Sequence, residues 1–265
     1  MLVLAVILGV YKFDNYLKRQ AAYKKAQNVK AAQASVTLIE GWDNDQIADY
    51  LQSKNIVSAK DFLSAVKNFD AADYPILPRQ AKGSLEGFIF PDTYFIPQNA
   101  PSGTSISNLI IAKALDNFSK KITPAMLSQA KAGGMDLYKI ITLASIIEKE
   151  SKGDAAERAT ISGIFYNRLS AGLPLQSDAT VDFITKKNSP SASSADLQID
   201  SPYNTYKYAG LPPGPICNPS LSSITAALYP QSTDYMYFLT DPQTGRAVFA
   251  KTYDEQVANK QKYLK

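Results

Sequence analysis

The stretch "LYKIITLASIIEKES", residues 137–151, constrains the fold more than any other part of the chain. On an α-helix, positions 140, 144, 147 and 151 share one face and 139, 143, 146 and 150 share the next. Ile140, Leu143, Ala144, Ile146 and Ile147 fill both faces. A helix that is apolar most of the way round must be enclosed by the rest of the chain. The pattern therefore predicts a central helix from about 137 to 152, closed by Gly153. Two carboxylates break its end. Glu150 stands three residues after Ile147 and seven after Leu143, so it extends an apolar stripe, away from the polar face of Lys139 and Lys149. Glu148, four after Ala144, extends the other edge. Such groups are either an ordinary solvated helix end, beside Lys149 and Lys152, or carboxylates partly removed from water. The second kind keeps its proton to higher pH, as a general acid must. Periodicity leaves both readings open.

The segments around this helix predict an α+β chain: a small β-α-α unit, then a mixed α/β domain built on the central helix. Val36–Ile39 reads as a short strand. Asn44 or Asp45 caps a helix with Ile47, Ala48 and Leu51 inward, and Asn55 ends it. Ser58 and Asp61 resemble a capping box for a second helix carrying Phe62, Leu63 and Val66. Residues 68–84, with Pro75, Pro78 and Gly83, read as a linker. "LEGFIFPDTYFIP" is aromatic and β-rich, with Pro91-Asp92 turning the chain. Helices follow over 105–120 and 124–132, and Asp154 with Glu157 is spaced as a capping box for the helix after the central one. "YMYFLTD" and "AVFA" read as strands before a basic C-terminal helix.

Composition narrows the chemistry. Among 265 residues there is no histidine, which removes His-based triads and His-ligated zinc. The single cysteine, Cys217, rules out an internal disulfide and a multi-cysteine metal site. Acid–base work falls to Asp, Glu, Lys and Tyr. The net charge of +4 is partly local: residues 14–35 hold Lys18, Arg19, Lys24, Lys25 and Lys30. Without an Arg-rich or Gly/aromatic pattern this reads as a basic helical stalk, and no nucleic-acid partner is expected. Residues 1–13 open with ten apolar residues, Met1 to Val10. That is short of the roughly 20 needed to span a bilayer. The expectation is part of a membrane anchor whose start is missing, with a cleaved signal next and a buried core strand as the plain alternative, which the basic segment after it argues against.

Downstream, "LQSDATVDF" offers Gln176, Asp178 and Asp182, and "SPYNTYKYAGLPPGPICNPS" offers Tyr203, Asn204, Tyr206 and Tyr208. Tyrosine faces stack on pyranose C–H surfaces, and amides and carboxylates bind hydroxyls, although core packing is an equal use for tyrosines. Four blocks, "EGFIFPDTY" (86–94), "LASIIEKES" (143–151), "LPLQSDATV" (173–181) and "YNTYKYAGLPPGPICNPS" (203–220), together resemble the endolytic murein (lytic) transglycosylases, the MltG/YceG-like family. "VTLIEGWDNDQIADYL" looks like that family's LysM-like segment.

The resemblance implies a LysM-like module and linker over 36–84 and a transglycosylase domain over 85–265. It implies a single-pass cell-membrane protein with its catalytic domain extracytoplasmic, acting on the glycan strands of peptidoglycan in cell-wall biogenesis, in the company of peptidoglycan synthases. The family's catalytic glutamate precedes a Ser or Thr, which is Glu150 here, with Glu148 and Ser151 in support. Gln176, Asp178, Tyr203, Asn204 and Tyr206, and further Glu86 and Asn218, match positions expected to line the cleft. No metal or organic cofactor is implied. A muramidase-type hydrolase using Asp178 or Asp182 as a second carboxylate, and a non-catalytic glycan-binding protein, remain as alternatives.

Overall fold

The computed structural model describes residues 33–97, 104–187 and 192–264. The expected anchor over 1–13 lies outside them, as does nearly all of the expected stalk. Among the described residues no helix is long and apolar enough to cross a membrane.

The chain first forms strand β1 (Gln33–Thr37), which pairs antiparallel with β2 (Thr93–Pro97) in the register Val36–Tyr94. Residues 33–35, expected at the end of the stalk helix, are therefore extended: backbone pairing with β2 overrides the helix preference of Gln33-Ala34. Between the strands lie α1 (Asn44–Ser53) and α2 (Ala59–Asn68). Ile47, Ala48 and Leu51 of α1 and Phe62 of α2 are buried as the periodicity requires, whereas Leu63 is only partly so. The cap of α1 is Asp43, one residue earlier than Asn44: its carboxylate accepts from the Gln46 N–H at 2.8 Å while the Gln46 side chain accepts from the Asp43 N–H. At α2, Ser58 accepts from the Asp61 N–H, but Asp61 returns to the Ser58 hydroxyl, not to its backbone, so the box is not closed.

The aromatic run after the linker is not a long strand. Residues 86–89 form a buried turn, and the strand begins only at Thr93. Gly87 explains this. Its φ is +86°, and a Cβ there would lie 2.6 Å from Pro215 and 2.7 Å from Ile141, so the turn is pressed against the central helix. Then come α3 (Ile106–Lys121) and α4 (Pro124–Ala132).

The central helix, α5 (Leu137–Glu150), starts at Asp136, whose carboxylate accepts from the Lys139 N–H. Every residue from Ile140 to Ile147 is buried. At roughly 1.5–3 kcal/mol per large apolar side chain, burial of Ile140, Ile141, Leu143, Ile146 and Ile147 is a large contribution to the stability of the fold. It packs against α6 (Ala155–Ser170), α7 (Asp178–Thr185) and α8 (Leu221–Leu228). The last two were not visible as helices in the sequence. Strands β3 (Tyr237–Thr240) and β4 (Ala247–Ala250) form a hairpin covered by α9 (Tyr253–Tyr263).

One apolar core runs from Val36 and Leu51 through Phe88 and Ile110 to Ile147 and Ile224. The β-α-α unit does not stand apart; it shares that core, and a sheet, with the later elements of the chain. A unit this small would be marginal without such a neighbour.

Candidate active site

Glu150 is the last residue of α5. Its side chain is enclosed on most sides but keeps contact with solvent. Oε1 accepts a short hydrogen bond from the Ser177 hydroxyl. Burial pushes the carboxyl pKa up to about 7; Asp178 and Asp182 add repulsion in the same direction, and the Ser177 hydrogen bond opposes them. Near neutrality such a group exists in both protonation states, so it can give up a proton and take one back. Of the two readings of the EKES end, burial supports the poorly solvated one for Glu150.

The wall opposite Glu150 is the loop that enters α7. Gln176 lies at φ +55°. Its Oε1 accepts from the Arg168 guanidinium, which also donates to the carbonyl of Pro174 (2.7 and 3.0 Å) and to that of Met236 (3.0 Å). Gln176 N–H donates to the Thr205 carbonyl at 3.0 Å, and Ser177 N–H donates to Thr205 Oγ1 at 3.1 Å. Asp178 follows, accepting from the Tyr206 hydroxyl at 2.6 Å. Burial and this carboxylate both push the Tyr206 phenol pKa up, with Glu150 a further contributor. Glu150, Ser177, Asp178 and Tyr206 are thus one constellation, to which Asp182 belongs through its charge.

The other expected residues fall elsewhere. Glu148 accepts from the Ser220 N–H at 2.9 Å and from the Ser220 hydroxyl, fastening the start of α8 to α5. Ser151 is buried and donates to Glu157 at 2.8 Å. Glu157 in turn accepts from the Ala247 N–H at 3.1 Å, so its side chain does not close the expected box with Asp154, which caps α6 alone. Glu86 accepts from the Asn44 N–H at 3.0 Å and from Asn218 Nδ2 at 3.3 Å. Burial pushes its pKa to about 8. Asn218 is fully buried: Oδ1 accepts from the Ile89 N–H at 2.9 Å and Nδ2 donates to the Trp42 carbonyl at 3.0 Å. Asn204 is also buried, donating to the carbonyls of Leu197 and Ile199 and accepting from the Tyr206 N–H. These two amides were expected to line a cleft; instead backbone groups occupy both ends of each, as buried amides require. Tyr203 is partly buried with its ring 5.1 Å from that of Phe183, and Tyr208 is exposed, donating to Asp200.

Two hollows flank α5. One of about 190 Å³ lies between α1 and α7, walled by Asp43, Asp45, Asp182, Phe183 and Lys186, with Lys149 at its edge. Lys186 bridges it, 2.8 Å from both Asp43 and Asp45. Asp182 belongs to this wall and to the surroundings of Glu150 at once. A larger, open groove of about 610 Å³ lies at the other end of the helix, around Tyr138, Tyr166, Leu211 and Pro212. At 1.5 Å per residue, Tyr138 is roughly 18 Å along the axis from Glu150. The Glu150 constellation therefore lies at the opposite end of α5 from the larger groove. Ser177, Arg168 and Thr205 were not singled out in the sequence; the one signal was that Ser177 and Thr205 fall inside motif blocks.

The YceG-like family model matches residues 4–262. A Bacillus subtilis protein named endolytic murein transglycosylase is 35% identical, over 97% of this chain and 72% of its own length. A Streptococcus pneumoniae protein of the same name is 34% identical, over 85% of this chain and 44% of its own length. Among solved structures, a YceG-like protein from Listeria monocytogenes superposes with a TM-score of 0.75 at 33% identity, covering 91% of this chain and 80% of that one.

Proposed function

The chain belongs to the YceG-like family, and from that membership we propose that it is an endolytic murein transglycosylase with Glu150 as its acid–base catalyst. The observation that carries the assignment is the carboxylate itself. It ends a helix buried from Ile140 to Ile147, and its pKa is held near 7 by burial and by two neighbouring aspartates.

The reaction is cleavage of the β-1,4 bond between N-acetylmuramic acid and N-acetylglucosamine without water. Protonated Glu150 gives its proton to the glycosidic oxygen as the bond to C1 breaks. The C6 hydroxyl of the same muramyl residue attacks C1, and its proton returns to Glu150. The product carries a 1,6-anhydromuramyl end, and the carboxyl is restored. A single carboxylate suffices because the nucleophile is part of the substrate and is present at high effective concentration. Asp178 and Tyr206 border the reacting carboxylate and are suited to sugar hydroxyls, with Tyr203 further out.

In this reading residues 36–84 serve as a LysM-like glycan-binding module, and residues 1–13 as part of a membrane anchor that holds the catalytic domain outside the cell, near peptidoglycan synthases. A hydrolase would need a second carboxylate at a defined separation. Asp178 and Asp182 are close enough to Glu150 to influence it, which makes that the competing reading.

The test is mass spectrometry of the products released from uncrosslinked glycan by the full chain and by Glu150→Gln. Anhydromuramyl ends from the native protein alone are expected. Reducing ends would move the assignment to a hydrolase. Equal release by both proteins would remove Glu150 from the chemistry.

A further inference from the structure

Ser177 immediately precedes α7, where a serine ordinarily turns its oxygen toward the N–H groups of the first helical turn. It does not do so here: α7 has no side-chain cap. The hydroxyl, on a residue only 2% exposed, donates to Oε1 of Glu150. The residue is held from every side. Its N–H donates to Thr205 Oγ1 at 3.1 Å, and its carbonyl accepts from Thr180 Oγ1 at 2.8 Å. The two threonine hydroxyls lie 2.9 Å apart. The preceding residue, Gln176, is fixed in the left-handed region by the buried Arg168. A helix cap is forgone, a left-handed residue is tolerated, and the gain is one hydroxyl aimed at one carboxylate oxygen. Among the described residues, Oε2 of Glu150 takes no hydrogen bond.

We propose that Ser177 is a positioning residue of the reaction: its hydroxyl occupies Oε1 of Glu150, so that the transferable proton resides on Oε2, the oxygen left for the glycosidic bond. The inference rests on the reading of Glu150 as acid–base catalyst. With Oε1 engaged, the carboxyl cannot rotate freely, and the proton is presented from one oxygen. After transfer, the same hydrogen bond stabilises the carboxylate that must accept the C6 proton. The groups facing Glu150 besides Ser177 are Asp178 and Asp182, which disfavour its ionised form, and the Tyr206 phenol. Ser177 is the one neighbour that favours ionisation.

The experiment compares the full chain with Ser177→Ala, Ser177→Cys and Glu150→Gln. Anhydromuramyl product formation is followed against pH, and the Glu150 carboxyl is titrated by carbon-13 NMR, its resonance assigned by its loss in Glu150→Gln. Ser177→Ala should lower kcat roughly ten- to a hundredfold, the effect of losing one hydrogen bond to a charged group, with KM little changed. The Glu150 titration and the alkaline limb of the rate profile should both move to higher pH. Ser177→Cys, nearly isosteric with a weaker donor, should fall between, and gives the same reading if the alanine variant does not fold. A folded Ser177 variant with an unmoved Glu150 titration and native kcat overturns the proposal. Activity retained by Glu150→Gln would instead overturn the assignment beneath it, so the two failures are distinct.

Discussion

Among the described residues, two carboxyls are pushed far from the ordinary range by burial, and the more perturbed one is not the candidate catalyst. Glu86 reaches about 8 and Glu150 about 7. Their surroundings differ in what is left unsatisfied. Glu86 gives one oxygen to the Asn44 N–H and the other to Asn218, inside a knot that joins the start of α1, the turn at Ile89 and the loop before α8. Glu150 gives Oε1 to Ser177, and among the described residues Oε2 takes nothing. A raised pKa marks a poorly solvated acid, and structural networks produce it as well as active sites do. What separates the two, among the described residues, is that Glu150 keeps one oxygen without a protein donor while Glu86 has a donor on each.

The largest expected effect breaks the comparison at Glu150. Glu150→Gln keeps the shape and removes the proton donor, so product release should fall on the order of 10²–10⁴-fold. Stability should not fall, because a desolvated acid is replaced by a neutral group; thermal unfolding at pH 8 checks this. Glu86→Ala is the reciprocal variant. It leaves the Asn44 N–H without its acceptor, at a cost of about 1–3 kcal/mol by denaturant unfolding, while the Asn218 amide keeps the Trp42 carbonyl and Asn44 Oδ1. Its kcat should stay within a few-fold of native. A collapse of kcat in folded Glu86→Ala would erase the distinction between the two sites.

The comparison also predicts a pH dependence of stability. Both groups have folded pKa values above the ordinary 4.5, so the folded chain binds more protons than the unfolded one between pH 4.5 and about 7 for Glu150, and about 8 for Glu86. Stability from these groups is therefore full below pH 4.5 and declines as pH rises through that window. Relative to the native chain, Glu150→Gln should show a shallower decline, flattened mainly below pH 7. Catalysis should fall as pH passes about 7 and the acid form is lost. Unfolding free energies and initial rates measured across the same buffers give both signs.

The helix that carries Glu150 was legible because its apolar periodicity is a local property of residues 137–150. The caps at Ser58 and Asp154 were legible for the same reason. The partner of Glu150 was not. Ser177 lies 27 residues away, and it meets the helix only because Gln176 turns left-handed and Arg168 locks the turn. Helix α8 was hidden because "LSSITAAL" is short and rich in serine and threonine, and it is started in part by Glu148 from 72 residues upstream. The amides of Asn204 and Asn218 misled for a related reason. A buried amide that ties loops together and one that binds a sugar are the same residue type in the same kind of segment. Only burial distinguishes them, and burial is set by contacts as distant as the 129 residues between Ile89 and Asn218.

The smallest effect sharpens the comparison from the rim. Lys186 ends α7 at φ +57° and spans to Asp43 and Asp45. Its positive charge lowers the Glu86 pKa against the burial that raises it, whereas the charges that act on Glu150 are Asp178 and Asp182. Lys186→Ala loses both ion pairs, each worth at most about 1 kcal/mol for a side chain this exposed, and keeps the left-handed strain. Lys186→Gly loses the same pairs but relieves the strain, so it should be more stable than Lys186→Ala by roughly 1 kcal/mol. Both variants should raise the Glu86 titration and leave the alkaline limb of the rate profile in place. A limb that moved with Lys186 would mean that the two carboxyls are coupled through the hollow between α1 and α7, and the Glu86 knot would then belong to the reaction.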